Sequence, residues 1–226
     1  MPMRWRNSLL PLLLLLLLLM VPAISLAWDR HSTADDSVQL WTAPASNHLY
    51  QNVRAEAQVA TPIFRLLRLL QDANTQHEWL PYTHKVDVLQ QPAPAQTLVR
   101  FESESRWPFS ARDAVTLFVV SQPDAHSLRI DMLNQPDAVP LQPGVERIRQ
   151  AQGYWLLTAA ADCVTQVRYE AGSAWGGNVP QWLVNRINRR VTASALRNLQ
   201  QWAPAQTESN ATPDYLQPVL DHAHCE

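Results

Sequence analysis

The sequence predicts an α+β domain. One curved antiparallel β-sheet wraps around a long C-terminal helix, and two short helices are inserted after an early strand. Three observations carry this. Residues 83–171 break into strand-length segments separated by turn-rich stretches, 127–133 alternating cleanly and 113–121 apolar on both faces as in a central strand. Ile63, Leu66, Leu67 and Leu70 stand at i, i+3, i+4, i+7 after Thr61-Pro62, the stripe of a short helix ahead of those strands. A long amphipathic segment closes the pattern from Pro180 to Trp202, and only the sheet is available to cover its apolar side.

The elements follow in order along the 226 residues. Arg4 and Arg6 precede an apolar run from Leu9 to Ile24 that holds eight consecutive leucines at 12–19. Ser25-Leu26-Ala27 then places small residues at the −3 and −1 positions of a cut after Ala27. That order is a secretory signal peptide, so residues 1–27 are expected to leave and Trp28 to become the N-terminus. Pro11 and Pro22 interrupt the run, which is short for a bilayer span of about 20 apolar residues. An uncleaved anchor is the alternative. The expected destination is an oxidising exported compartment, the periplasm in a bacterium.

Residues 29–36 are polar and read as irregular. Val38, Leu40 and Trp41 suggest a short strand, and 48–59 a longer one with Val53, Ala55, Ala57 and Val59 on one side. Thr61 is expected to cap the first helix, with Pro62 at its first position, where a missing N–H does no harm. A second short helix spans 74–79 and stops at Pro81. Strands are expected over 83–90, 96–105, 113–121, 127–133, 145–158 and 163–171, joined by short links as an antiparallel meander. Leu128, Ile130 and Met132 face inward, with Arg129 and Asp131 outward. On the last helix Leu183, Val184, Ile187, Val191, Ala195, Leu199 and Trp202 fall within an arc of about 160°. Arg186, Arg189, Arg190 and Arg197 occupy the opposite side. Residues 203–226, with Pro204, Pro213 and Pro218 among polar residues, read as a disordered tail. The domain is thus 28–202.

Composition narrows the function. Hydrophobic residues at 46% and charged residues at 17% suit one packed domain. A net charge of −2 argues against a nucleic-acid partner. Two cysteines cannot form a four-thiolate zinc site or a multi-bridge scaffold. His77-Glu78-Trp79-Leu80-Pro81 starts like a zinc-protease helix but has Pro81 where the second histidine belongs. Gly172 and Gly177 have P-loop spacing, but Asn178 and Val179 follow where lysine and a hydroxyl residue are required. No nucleophile elbow G-x-S-x-G is present. No catalytic residue, metal or cofactor is therefore assigned. His222, His224 and Cys225 read as a solvated tail. Cys163 shares a strand face with Val167 and Tyr169 and is expected to be a buried free thiol, a bridge to Cys225 being the alternative. Asn210-Ala211-Thr212 is a glycosylation sequon.

What remains is aromatic and aliphatic. Phe101, Trp107, Phe118, Tyr154, Trp155 and Tyr169, with Leu183, Ile187, Val191 and Leu199 of the last helix, are the candidates for lining an apolar chamber. Ordinary core packing is the competing reading for each ring. Arg112 and Asp113 are adjacent on a strand and point to opposite faces, so each is expected to have a structural pairing rather than a shared catalytic role.

Several segments resemble the START (steroidogenic acute regulatory protein-related lipid transfer) domains of bacteria, within the helix-grip superfamily. Arg106-Trp107-Pro108-Phe109-Ser110-Ala111-Arg112-Asp113-Ala114-Val115 is similar to the family's P-W-P-x-S-x-R-D-x-V segment. Pro136-Asp137-Ala138-Val139-Pro140 is similar to a loop of the bacterial members, and Gly153-Tyr154-Trp155 to the G-x-W strand. Residues 176–186 are similar to the start of the C-terminal helix, and Leu196-Arg197-Asn198-Leu199 to its end. Arg106 replaces the usual first proline, and Ala111 a common acidic residue. The resemblance implies a helix-grip fold, a central apolar tunnel and non-covalent binding or transfer of a lipid or other hydrophobic ligand, without catalysis. Phe118 stands where sterol-binding relatives carry a buried basic residue, so a sterol hydroxyl would lose that anchor. The alternatives are a polyketide cyclase-like enzyme and a protein-interaction module with a filled core. The expected partners are the ligand itself and, transiently, an anionic membrane surface meeting the helix arginines; the chain is expected to be monomeric.

Overall fold

The computed structural model describes residues 28–33, 36–45, 50–105, 110–175, 179–222 and 225. The expected signal segment and Trp107 lie outside the described residues. The strands are β1 Asp29–His31, β2 Val38–Pro44, β3 Gln51–Val59, β4 Thr83–Ala93, β5 Gln96–Ser103, β6 Arg112–Asp124, β7 Ser127–Asn134, β8 Glu146–Arg147, β9 Gln150–Ala159 and β10 Thr165–Ala174. The helices are α1 Ile63–Gln71, α2 Gln76–Trp79 and α3 Gln181–Trp202. The strands form one curved sheet in the order β1-β2-β3-β10-β9-β7-β6-β5-β4, and α3 lies across its β2, β3 and β10 end. This is the helix-grip arrangement.

The connectivity is richer than a meander. β4 to β7 do run as neighbours, but β3 pairs antiparallel with the last strand, putting Arg54 opposite Glu170 and Val59 opposite Thr165. Period two in β3 buries Val53, Ala55, Ala57 and Val59 on the inner face, as its sequence requires. Asp29–His31 forms a three-residue edge strand paired with β2, too short for any periodicity to register. The expected 145–158 strand is split. β8 leaves β9 to pair parallel with β6, and it does so around a buried ion pair. The Arg147 guanidinium donates to both carboxylate oxygens of Asp113, at 2.6 and 2.8 Å, and both side chains are 1% exposed. The same guanidinium donates to the carbonyls of Val139, at 3.2 Å, and Pro140, at 3.3 Å, pinning the Pro136–Pro140 loop. Arg112 faces elsewhere: it donates to the Ser110 carbonyl at 2.9 Å and lies 5.3 Å from the Trp175 ring centre.

Helix α1 differs in its cap. Pro62 is the N-cap residue, and the buried Thr61 hydroxyl has no hydrogen-bond partner. The cap comes instead from far along the chain. His222 Nδ1 accepts from the Ile63 N–H at 3.0 Å, and Asn210 Oδ1 accepts from the Arg65 N–H at 3.3 Å. These satisfy first-turn donors that the helix cannot pair internally.

The expectation of a disordered tail does not hold. Leu216 and Val219 are buried in the core, and the Leu220 N–H donates to the Ala125 carbonyl at 3.2 Å. Arg68 of α1 donates to the Ser209 and Ala211 carbonyls at 3.1 and 2.8 Å. His222, 2% exposed, uses its second ring nitrogen against the Ala160 carbonyl at 2.9 Å. Cys163 and Cys225 form a disulfide, so the free-thiol reading is also corrected. The reason is common to both: a few apolar anchors among prolines and polar residues form no periodic stripe, yet the segment is held against α1, the β6–β7 turn and the β9–β10 turn.

Helix α3 is fixed by polar contacts as well as by packing. Asn185 Oδ1 accepts from the Gln51 N–H at 3.2 Å, Asn198 donates to the Trp79 carbonyl at 3.0 Å, and Gln200 donates to the Gln58 carbonyl at 2.9 Å. Its buried residues are Val184, Thr192, Ala193, Ala195, Leu196 and Leu199. At 100° per residue this stripe is turned from the expected arc toward Thr192 and Leu196.

Candidate ligand-binding cavity

Between the concave face of the sheet and α3 lies a cavity of about 260 Å³. Its floor is built on alternate residues of the central strands. Ala114, Thr116 and Phe118 of β6 face it, as do Met132 and Asn134 of β7, Trp155 of β9, and Tyr169, Ala171 and Ser173 of β10. One wall is Leu70 of α1 with Gln76, Trp79 and Leu80 at α2. The roof is Asn188, Val191, Thr192, Ala195 and Leu196 of α3. No described residue of this lining is aspartate, glutamate, lysine, arginine or histidine.

Aromatic rings shape the chamber. Trp155 and Tyr169 are register partners on β9 and β10 with ring centres 4.6 Å apart, and Trp79 meets Trp155 edge-on at 6.2 Å. Phe101 and Phe118 make a second edge contact at 5.8 Å. Such tilted pairs hold rings rigid where a void would otherwise let them collapse. Gly153 keeps the floor open between them. A Cβ there would lie 2.5 Å from the Ala171 Cβ and 2.6 Å from the Met132 Cε, so any side chain would drive both into the space. Burial pushes the Tyr169 phenol up to about 12, because the phenolate would be formed out of water.

The decisive comparison is with known families: a START domain profile matches residues 17–209. The chain belongs to the START domain family. An uncharacterized protein of Pseudomonas aeruginosa is 24% identical over 168 residues, covering 74% of this chain and 82% of that protein. The crystal structure of a STAR-related lipid transfer protein fragment from Xanthomonas axonopodis superposes with a TM-score of 0.72 at 23% identity, covering 78% of this chain and 98% of the other. Human StAR-related lipid transfer protein 5 does so with a TM-score of 0.68 at 16% identity, covering 84% and 91%.

Within this START cavity the sequence-derived candidates divide. Phe101, Phe118, Trp155, Tyr169 and Val191 line it. Leu199 is fully buried in the core beside it, while Leu183 and Ile187 are half-buried on the edge of α3 that the rotation turns away. Tyr154 is on the opposite face. Its phenol donates to Glu170 Oε2 at 3.0 Å, and the Arg129 guanidinium sits 3.8 Å over its ring. Burial first, then Glu170, raises that phenol above its ordinary range. Tyr154 and Trp155 are consecutive on one strand, so only one of them could enter the chamber. Sequence reasoning missed Thr116, Asn134 and Ser173. The signal was available in part, because Thr116 shares a strand face with Phe118 and Asn134 with Met132. Trp79 was legible only as one of the sequence's many large rings and Leu80 not at all; the turn at α2 places them.

Proposed function

We propose that this START-domain protein binds a lipid or other hydrophobic small molecule non-covalently in the cavity and carries or presents it without chemical change. The observation that supports this reading is the lining itself, a chamber rich in aromatic and aliphatic groups in which no described side chain carries charge. Apolar burial contributes about 0.8 kcal/mol per methylene, so a chain of ten buried methylenes offers roughly 8 kcal/mol before ordering costs. Among the described lining residues no acid–base pair of the kind that cyclisation needs faces the space; the Tyr169 phenol there stays protonated to about 12.

Exchange of such a ligand needs contact with a membrane, and we place it on the outer side of α3. Trp182 is 64% exposed and shares a helix face with Arg186 and Arg190, which are also exposed. Among the described residues, Arg186, Arg190 and Arg197 have no hydrogen bond or ion pair, and Arg189 bonds only Gln51, at 3.3 Å. An unpaired basic face beside an exposed indole suits anionic headgroups, each basic residue contributing about 1 kcal/mol near such a surface. Export to the periplasm, with cleavage after Ala27, belongs to the same proposal; the Cys163–Cys225 bridge favours an oxidising compartment.

The test is denaturing extraction and mass spectrometry of the protein purified from a periplasmic fraction. Stoichiometric lipid with an intact mass starting at Trp28 is expected. An empty protein that takes up no apolar probe would overturn the carrier reading.

A further inference from the structure

The cavity specifies more than an apolar ligand. Several polar groups in its lining lack a partner among the described residues. Asn134 Oδ1 and Trp79 Nε1 are buried and make no hydrogen bond, and the Tyr169 hydroxyl makes none with any described residue. A buried amide oxygen left unpaired is destabilising by about 1–3 kcal/mol, so such a group marks a place where something else completes the bond. Asn134 has polar company. Thr116 is its register partner on β6, and Ser173 faces the same end of the chamber from β10, accepting from Asn188 Nδ2 at 3.4 Å. The opposite end is Leu70, Leu80, Phe118, Trp155 and Leu196 around Trp79. The chamber is therefore neutral and uneven: the Asn134 end groups an amide with hydroxyls, and the other end is mostly hydrocarbon, with the Trp79 indole N–H and the Tyr169 hydroxyl as isolated donors.

We propose that the ligand is an uncharged single-chain amphiphile carrying a hydroxyl, in chemical class a long-chain or isoprenoid alcohol, with that hydroxyl at Asn134 and its chain toward Trp79. A hydroxyl both donates and accepts, so it satisfies the Asn134 oxygen and the amide N–H beside it together. A carboxylate or phosphate brought to the same place would be stripped of water with no cation in the described lining to pair with it. A volume of about 260 Å³ lies below the roughly 300–1,000 Å³ usual for drug-sized ligands, which accommodates one chain and excludes a two-chain phospholipid. The proposal rests on the reading that the cavity binds apolar ligands at all, and its test separates the two.

The experiment is displacement of the neutral dye N-phenyl-1-naphthylamine from the full exported protein by 1-dodecanol, dodecanoate and dodecane, at about pH 8, where the carboxylate is ionised. Dodecanol is expected to displace the dye at about tenfold lower concentration than dodecanoate. Asn134→Leu should weaken dodecanol relative to dodecane by about fivefold or more. Displacement by dodecanoate as strong as by dodecanol overturns the ligand class with apolar binding still standing, and it needs no variant that might misfold. An equal loss for dodecanol and dodecane in Asn134→Leu overturns the assignment of the hydroxyl to Asn134. Failure of the dye and of all three probes to bind removes the carrier reading and this proposal with it.

Discussion

Removing the Cys163–Cys225 bridge should lower stability by an amount that its position sets. The bridge closes a loop of 62 residues. Loop-closure entropy grows with the logarithm of that length, giving about 14 cal/mol/K, or roughly 4 kcal/mol at 25 °C. A domain of this size shifts its melting temperature by about 2–4 °C per kcal/mol, so Cys225→Ser or reduction should lower Tm by roughly 10 °C. The variant should still fold, because Leu216 and Val219 remain anchored in the core without the bridge. Thermal unfolding followed by circular dichroism, with and without reductant, measures the shift. Limited proteolysis should find the end of the segment after Trp202 cut sooner in the reduced protein, since beyond Val219 only the hydrogen bonds of Leu220 and His222 then hold it. A reduced protein melting within about 2 °C of the oxidised one would refute the reasoning, since a loop-closure contribution of roughly 4 kcal/mol predicts a shift several times larger.

Other perturbations separate the parts of the molecule. Asp113→Asn strands the buried Arg147 guanidinium and should cost about 3–5 kcal/mol, read in a denaturant titration, with ligand still recovered from the folded fraction. Val191→Trp should fill the chamber and abolish lipid recovery in extracts, whereas Ile187→Trp, off the lining, should leave recovery unchanged. The folded-state value of Tyr169 is raised from 10.0 to about 12, so the unfolded chain loses this proton first as pH rises. Stability should therefore fall between about pH 10 and pH 12, and Tyr169→Phe should remove that part of the slope in melting curves across the range. Changing Arg186, Arg189, Arg190 and Arg197 together to glutamine should abolish co-sedimentation with anionic vesicles at low salt; unchanged binding would remove the docking face.

The parts most legible in the sequence were those written as a period. Alternation in β7 put Leu128, Ile130 and Met132 inward, and the spacing of Ile63, Leu66, Leu67 and Leu70 located α1. Phe118 and Trp155 were legible as large rings rather than by any period. The parts that escaped are set by partners distant in sequence. The arc of α3 was centred on its most apolar residues, but the helix is turned so that Asn185 reaches β3 and Asn198 reaches the carbonyl of Trp79. Tyr154 looked like a chamber residue by its chemistry, and its place opposite Glu170 follows only from the pairing of β9 with β10. The α1 cap was sought at Thr61, next to the helix, and it came from His222.

The pairing of β3 with β10 also fixes when this protein can finish folding. Arg54 and Glu170 face each other across a sequence separation of 116 residues, and Thr165 bonds the Thr61 carbonyl across 104. Contacts of that range form late, because the loop between them must close before either partner gains anything. A ribosome releasing the chain from its N-terminus exposes β1 to β3 long before β10 exists to cover their edge. The hairpins from β4 to β7 can associate early, but the sheet stays open, and α3, which rests on β3 and β10, has nothing complete to grip. A chain built this way resists premature closure until almost all of it has been made, a delay that would serve the proposed export as an unfolded thread.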